Sequence, residues 1–352
     1  METNFGYFVD EIILEILARL PIKSLFRTKC VCKLWYKLAS HKSFTQLYNQ
    51  ISVRNAMVLV ELTDSSLILI DHKRGVSELS LDFIKDRLKI RASCNGLLCC
   101  SSVPDKGVYY VCNPMTREFR LLPRSRERPI TRFYPDGEAT LVGVSCDLSG
   151  SRYNVVLAGY HRMFGHRPEG KLICSVFDSG SNKWRRYVSD DQEDHGFSHM
   201  NRNQVVFVNG SLHWMTRSFA YILVLDLSLD LWTRILLPDE MGGCGNRVYL
   251  LEFDGKVSVI QISSVWMNIW VYDEGRWDMI ERVSLRCIRG MVPGIFPISQ
   301  GSDYVFLAGH KQVLVYQRKT RSWKEMYSVR NSSTMPLWFS AHSFRGTIFS
   351  CR

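Results

Sequence analysis

The sequence predicts a mainly β protein: a small α-helical module at the N-terminus followed by a six-bladed β-propeller. Three observations lead there. The hydrophobic period changes from helical to alternating or short continuous runs near residue 50. Two-residue turn signals recur along the rest of the chain, and each is followed by an aromatic residue at a nearly constant distance.

Length and composition set the bounds. A chain of 352 residues exceeds what one hydrophobic core usually holds, favouring two domains or a repeat-built domain with a small companion. Hydrophobic residues at 46% and charged residues at 22% are ordinary globular values, and aromatics at 12% suit pleated sheets. The net charge of +11 invites a nucleic-acid reading, but the densest basic stretch, Arg117 to Arg132, is interrupted by Glu118 and Glu127. No nucleic-acid-binding pattern accompanies it. An acidic protein partner accounts for the same charge. The eleven cysteines are odd in number and scattered, and Cys99, Cys100, Cys112, Cys146 and Cys174 fall inside apolar runs, as in a reducing compartment. No run approaches a membrane span, and the first twenty residues lack the pattern of a secretory signal. A soluble protein of the cytoplasm, the nucleus or both is expected.

Between Asp10 and Leu20 the residues Ile12, Ile13, Ile16, Leu17 and Leu20 fall at helical spacing, with Asp10 placed as a cap and Pro21 as the stop. A second helix is expected over Lys23 to Cys30, a third through Val31, Leu34, Trp35 and Leu38, and a fourth through Phe44, Leu47, Tyr48 and Ile51. Such a module, residues 1–50, is too small to bury all its apolar surface and points to a binding partner. Its markers are E-I-L-x-R-L-P at Glu15 to Pro21, K-S-L at Lys23 to Leu25, R-x-x-C-V-x-K at Arg27 to Lys33, and Trp35. In these the stretch Val9 to Phe44 resembles the plant F-box. The resemblance implies that the helices clamp a Skp-type adaptor, and through it cullin and a RING subunit, with contacts from Phe8, Val9, Ile13, Leu17, Leu20, Pro21, Leu25 and Trp35. F-boxes usually open with Leu-Pro, where this chain has Phe8-Val9. Cys30 and Cys32 lack a second ligand pair, so they are expected as buried or half-buried thiols rather than metal ligands.

Residues 51–352 read as strands, for example MVLVEL at 57–62, LVGVSC at 141–146, YILVLDL at 221–227 and QVLVYQ at 312–317. Asn95-Gly96, Asn209-Gly210 and Asp254-Gly255 are hairpin signals, and Ser149-Gly150 and Gly301-Ser302 occupy the equivalent place. Gly210 to Trp232, Gly255 to Trp277 and Gly301 to Trp323 are each 22 residues, Gly96 to Phe119 is 23, and Gly150 to Trp184 is 34, lengthened by an insertion around Tyr160 to Gly170. The tryptophans are expected to be mostly buried on the last strands of successive blades. Their period of 45 and 46 residues is that of four-stranded propeller blades. Five full units can be counted. Strands from Met57 to Leu81 and the segment 338–351 form a sixth, split between the two ends and closing the ring. The pattern resembles kelch-like and F-box-associated repeats, although the paired glycines of strict kelch repeats are absent.

Catalytic signals are weak. His195 and His199, beside Asp190, Asp191, Glu193 and Asp194, could hold a divalent metal on a helix, but a solvated acidic loop is expected, with no metal and no cofactor. DSGSNKW at 178–184 is similar to an Asp-box, which only staples a turn. GGCG at 242–245 follows no strand-to-helix transition, and no nucleophile and base motif occurs. In an up-down-up-down blade the second-to-third-strand and interblade connections share one face, and the long segments all fall there: 123–139, 160–170, 189–203, 238–247 and 288–294. Arg126, Arg128, Arg132, Phe133, Tyr134, Arg162, Met163 and Phe164 in these segments are the candidates for contact with a protein substrate; tolerated insertions are the bland alternative.

The family resemblance implies a non-enzymatic substrate receptor of an SCF-type ubiquitin ligase, acting by proximity and committing its target to ubiquitination and degradation. Two rivals remain open: an F-box and propeller scaffold outside a cullin ligase, and a propeller enzyme such as a glycosidase, which needs paired carboxylates in the central channel.

Overall fold

The computed structural model describes residues 5–52, 56–62, 66–104, 106–126, 141–147, 152–160, 172–188, 205–216, 219–242, 245–309, 312–328 and 340–351. The N-terminal module is four helices, α1 (Phe5–Ala18), α2 (Ile22–Thr28), α3 (Lys33–Ser40) and α4 (Lys42–Ser52). Asp10, expected as a cap, instead lies inside α1, which begins at Phe5 and carries the helix further back in spite of Gly6. Pro21 takes the N-cap position of α2 at φ −56°, where a missing N–H costs nothing. The Sγ of Cys32 accepts from the Trp35 amide and caps α3. Cys30 and Cys32 are both exposed, contrary to expectation, since the turn between α2 and α3 faces outward.

The remainder is a ring of six four-stranded antiparallel sheets. The closure blade begins with β1 (Ala56–Glu61), β2 (Leu67–Asp71) and β3 (Gly75–Leu79). The second blade is β4 (Leu88–Cys94), β5 (Leu97–Ser102), β6 (Tyr109–Asn113) and β7 (Glu118–Leu121), and the third is β8 (Leu141–Cys146), β9 (Tyr153–Tyr160), β10 (Leu172–Asp178) and β11 (Lys183–Val188). The fourth is β12 (Val206–Val208), β13 (Ser211–Met215), β14 (Tyr221–Asp226) and β15 (Leu231–Leu236). The fifth is β16 (Arg247–Phe253), β17 (Lys256–Ile262), β18 (Trp266–Asp273) and β19 (Arg276–Ser284), and the sixth is β20 (Phe296–Gln300), β21 (Tyr304–Ala308), β22 (Gln312–Gln317) and β23 (Ser322–Ser328). β24 (Ser340–Arg345) returns to pair with β1, Met57 opposite Phe344 and Val60 opposite Ala341, and completes the closure blade. The six first strands β24, β4, β8, β12, β16 and β20 touch in sequence and line the axis.

Local chemistry sets the register. Asn95, Asn209 and Asp254 hold φ of 43°, 48° and 47°, and the glycines after them 82°, 81° and 80°, the pair of left-handed residues that a type I′ hairpin needs. Between third and fourth strands an Asx turn recurs. Asp178 accepts from the Gly180 and Ser181 amides, Asp226 from those of Ser228 and Leu229, Asp71 from that of Lys73, and Asn113 from that of Met115. DSGSNKW is one instance of this staple.

The β core consists of six apolar layers, one between each neighbouring pair of blades. Alternate residues of one strand feed different layers. Leu97 and Cys99 face the third blade, whereas Leu98 and Cys100 face the closure blade. Inner strands are therefore apolar on both sides, which is why Cys99, Cys100, Cys112, Cys146 and Cys174 are buried in continuous runs. The fourth-strand aromatics all take one position: Phe119 lies opposite Cys112, Trp184 opposite Phe177, Trp232 opposite Leu225, Trp277 opposite Tyr272 and Trp323 opposite Tyr316. As expected of mostly buried rings, Trp232, Trp277 and Trp323 keep only a minor part of their surface exposed, and they stop short of full enclosure because the outermost strand has fewer neighbours to cover it. Two of these indoles clasp the preceding blade: Trp184 Nε1 donates to the Pro123 carbonyl at 2.7 Å and Trp277 Nε1 to that of Leu236 at 2.8 Å.

Beyond β24 the chain runs as a strap over the hairpin-turn face. Asn113 Nδ2 donates to the carbonyls of Thr347 (3.0 Å) and Phe349 (2.9 Å), and Tyr153 OH donates to that of Cys351 (3.0 Å). Phe349 and Cys351 sink into the layer between the second and third blades. Gly96 is required here, since a Cβ would collide with the Thr347 side chain and lie 2.7 Å from the Arg345 carbonyl. Ile348 reaches the other way, into the core of the helical module.

Candidate functional site

The helical module divides its apolar residues between two jobs. Leu17, Ala18, Leu25, Ala39, Phe44 and Tyr48 form its buried core, with Ile13, Leu20 and Trp35 packed half-buried around them. Of the expected adaptor contacts, Leu17 and Leu25 are thus fully enclosed by the module itself, at 0% exposure. Pro21 is half-buried at the α1–α2 junction. Phe8 and Val9 lie in α1, with side chains outside the described residues. What remains uncovered is a different set: Ile12 (47% exposed), Ile16 (55%), Val31 (64%), Leu34 (43%) and Tyr36 (59%). Ile12 and Ile16 are four apart on α1, and α1 packs on α3, which carries Leu34 and Tyr36. Large apolar side chains this exposed on so small a module form a surface suited to a partner.

The strand directions place the two ends of the molecule. Ala56, where the helical module joins, lies opposite Arg345 at the hairpin-turn end of the closure blade, so the module is attached on the face that carries the tight turns. The longer connections leave from the opposite face. Of the residues expected to meet a substrate there, Arg126 is exposed, while Arg128, Arg132, Phe133, Tyr134, Arg162, Met163 and Phe164 lie outside the described residues. That face also holds a cleft of about 730 Å³ between the β1–β2 and β3–β4 connections, lined by Glu61, Leu62, Leu79, Leu81, Asp86 and Leu88 among others. Desolvation raises the pKa of the Glu61 carboxyl, although the Ile90 amide donates to it at 3.3 Å. Asp86 accepts from Tyr110 OH, which pushes that phenol up to about 12, and Asp82 pairs with Arg117 at 2.8 Å.

Other candidate chemistry is thin. His195 and His199 lie outside the described residues, and among the described residues no group of three or more His, Cys, Asp or Glu could hold a metal ion. Among the described inner strands the single carboxylate is Glu252, which pairs with Arg345 at 3.2 Å. A glycosidase channel would need two. No described helix is long and apolar enough to cross a membrane.

Helices with an uncovered apolar stripe followed by a closed ring of four-stranded blades define a small helical module joined to a propeller. Residues 8–47 match the F-box domain and residues 47–335 the F-box associated beta propeller domain. Over 351 residues the chain is 64% identical to F-box protein At5g49610 of Arabidopsis thaliana, covering 98% of each. It is 25% identical over 303 residues to F-box/kelch-repeat protein At4g19930 of the same plant, covering 78% of this chain and 68% of that one. Among solved structures it resembles a chain of a nidogen/laminin complex at 10% identity and a TM-score of 0.45, over 83% of this chain and 99% of that one. The chain belongs to the plant F-box proteins that carry an F-box-associated β-propeller.

Proposed function

We propose that this protein is the substrate-recognition subunit of an SCF-type E3 ubiquitin ligase. The helical module holds a Skp-type adaptor, and through it cullin and a RING subunit, while the propeller holds a protein that is then ubiquitinated and degraded. The observation that carries the reading is the opposition of two surfaces: exposed Ile12, Ile16, Val31, Leu34 and Tyr36 on the module, and long connections with a cleft on the far face of the ring. A receptor of this kind needs no catalytic residue, because holding a lysine near the charged conjugating enzyme raises its effective concentration. The rigid stack of six apolar layers between the surfaces suits that geometrical task. The substrate face includes Arg126 and the segment that follows it, and the working compartment is the cytoplasm, the nucleus or both.

The test is affinity capture of the tagged full chain from plant cells under proteasome inhibition. Adaptor, cullin and a ubiquitinated protein should co-purify. Recovery of adaptor without cullin would instead make the protein a scaffold outside the ligase, and recovery of neither would refute the reading.

A further inference from the structure

We propose that Cys94 and Cys146 are a peroxide-reactive pair that closes a disulfide between the inner strands of the second and third blades. Cys94 is the last residue of β4 and Cys146 the last of β8, equivalent positions on two strands that touch in the inner ring. Both side chains belong to the apolar layer between those blades. The Cys146 Sγ donates to the Cys94 carbonyl oxygen at 3.5 Å, which sets the Cys146 sulfur against the Cys94 residue. Cys94 is half-buried, Cys146 buried. Cys94 is thus the more accessible of the two residues, and Cys146 is already beside it.

The electrostatics assign the roles. The neighbouring Cys146 side chain is the largest influence on the Cys94 pKa and lowers it, burial opposes this, and the Arg345 guanidinium, which donates to Asn95 Oδ1 at 3.2 Å, lowers it further. Burial works the other way elsewhere: Cys99 and Cys351 are pushed up to about 12, and Cys146 is also raised. Among the described cysteines Cys94 is the one whose pKa is shifted downward.

In the first step the Cys94 thiolate attacks a peroxide oxygen. An S–O bond forms, the O–O bond breaks, and the departing hydroxide takes a proton to become water, leaving a sulfenic acid. In the second step the Cys146 sulfur attacks the Cys94 sulfur. The S–S bond forms, the S–O bond breaks, and the hydroxyl leaves as water with the Cys146 proton. Two thiols are oxidised by two electrons, and one hydrogen peroxide is reduced to two waters. The link ties two blades at the end of the ring crossed by the strap.

The test treats the folded full chain with hydrogen peroxide, blocks residual thiols with an alkylating agent and maps peptides without reduction. A peptide containing Cys94 joined to one containing Cys146, lighter by two hydrogens and separated by a thiol reductant, is expected. Cys146→Ser should lose the link and leave a Cys94 sulfenic acid that dimedone traps. Cys100 and Cys112, on paired strands of the second blade and both fully buried, serve as the internal control and should stay reduced. Peptides that remain unlinked in the unmutated protein, or Cys94 joined to a different cysteine, would overturn the proposal without any variant having to fold.

Discussion

Asn113→Ala tests whether the strap fastens the ring. The Asn113 side chain is fully buried and makes three hydrogen bonds: Nδ2 to the Thr347 and Phe349 carbonyls and Oδ1 from the Met115 amide at 2.9 Å. Alanine removes all three and leaves two carbonyls and an amide without that partner. At about 1 kcal/mol for each bond, and more where the abandoned group stays dry, the loss is about 3–5 kcal/mol. Asn113→Asp keeps the shape and the bond from Met115 but sets a carboxylate against two carbonyl oxygens, so it should be at least as destabilising near neutral pH. Chemical denaturation followed by tryptophan fluorescence measures both. Because the strap carries Ile348 into the helical module, limited proteolysis of the variant should also cut more readily after Arg345. A loss below about 1 kcal/mol for Asn113→Ala would mean that the strap's carbonyls find water at no cost, and that the ring is held by β24 pairing alone.

Three further outcomes follow from features of the two modules. Ile12→Asp with Ile16→Asp should weaken binding of a Skp-type adaptor by about 100-fold while changing the module's stability little, whereas Leu17→Ala should cost about 2–5 kcal/mol of stability; a pull-down showing normal adaptor capture by the double variant would discard that surface. Trp277→Phe should cost about 1 kcal/mol through the lost bond to the Leu236 carbonyl, and Trp277→Ala about 2–3 kcal/mol, less than for an enclosed ring because the indole is half-buried; equal losses for both would mean the hydrogen bond carries the whole contribution. Burial holds the His213 ring, 4% exposed, at a pKa of about 4, below its unfolded value near 6.5. The unfolded chain therefore binds the proton first: stability is full above pH 6.5 and falls as pH drops towards 4, by up to about 3 kcal/mol. His213→Gln should reduce the slope in that window in pH-dependent melts, with His342, which burial also holds at about 4, supplying the remainder; an unchanged slope would remove His213 from the account.

Much of the architecture was legible because each blade repeats one register. The fourth-strand aromatic stands opposite the residue just before the Asx turn, so turn-to-aromatic spacing stays constant while the connections on the other face vary. The size of an indole argues for burial, but strand position decides how it sits: on an outermost strand even Trp277 cannot be enclosed. In α1 the sequence shows Ile12, Ile13, Ile16 and Leu17 as one apolar run. On the helix they form two stripes about 100° apart, one inward through Ile13 and Leu17, the other outward through Ile12 and Ile16. Hydrophobicity alone does not say which stripe turns inward; the packing of α1 against α3 and α4 does. The segment 338–351 reads as part of the closing blade, but the strand ends at Arg345: residues 346–351 form the strap instead, because they follow no strand period and are fixed by carbonyls, which every residue possesses.

Ring closure by β24 has a consequence for synthesis. The strand β1 is made early but its inner partner comes almost three hundred residues later, so throughout translation the closure blade presents an unpaired edge and the axis stays open. The helical module, in contrast, is built mostly from local contacts, with only Ile348 of the strap arriving late. A chain stopped before residue 340 would then display an adaptor-binding surface on an open, edge-exposed propeller. In the ligase proposed above, an adaptor docked on such a product would make the unfinished receptor the nearest client, and self-ubiquitination would clear it.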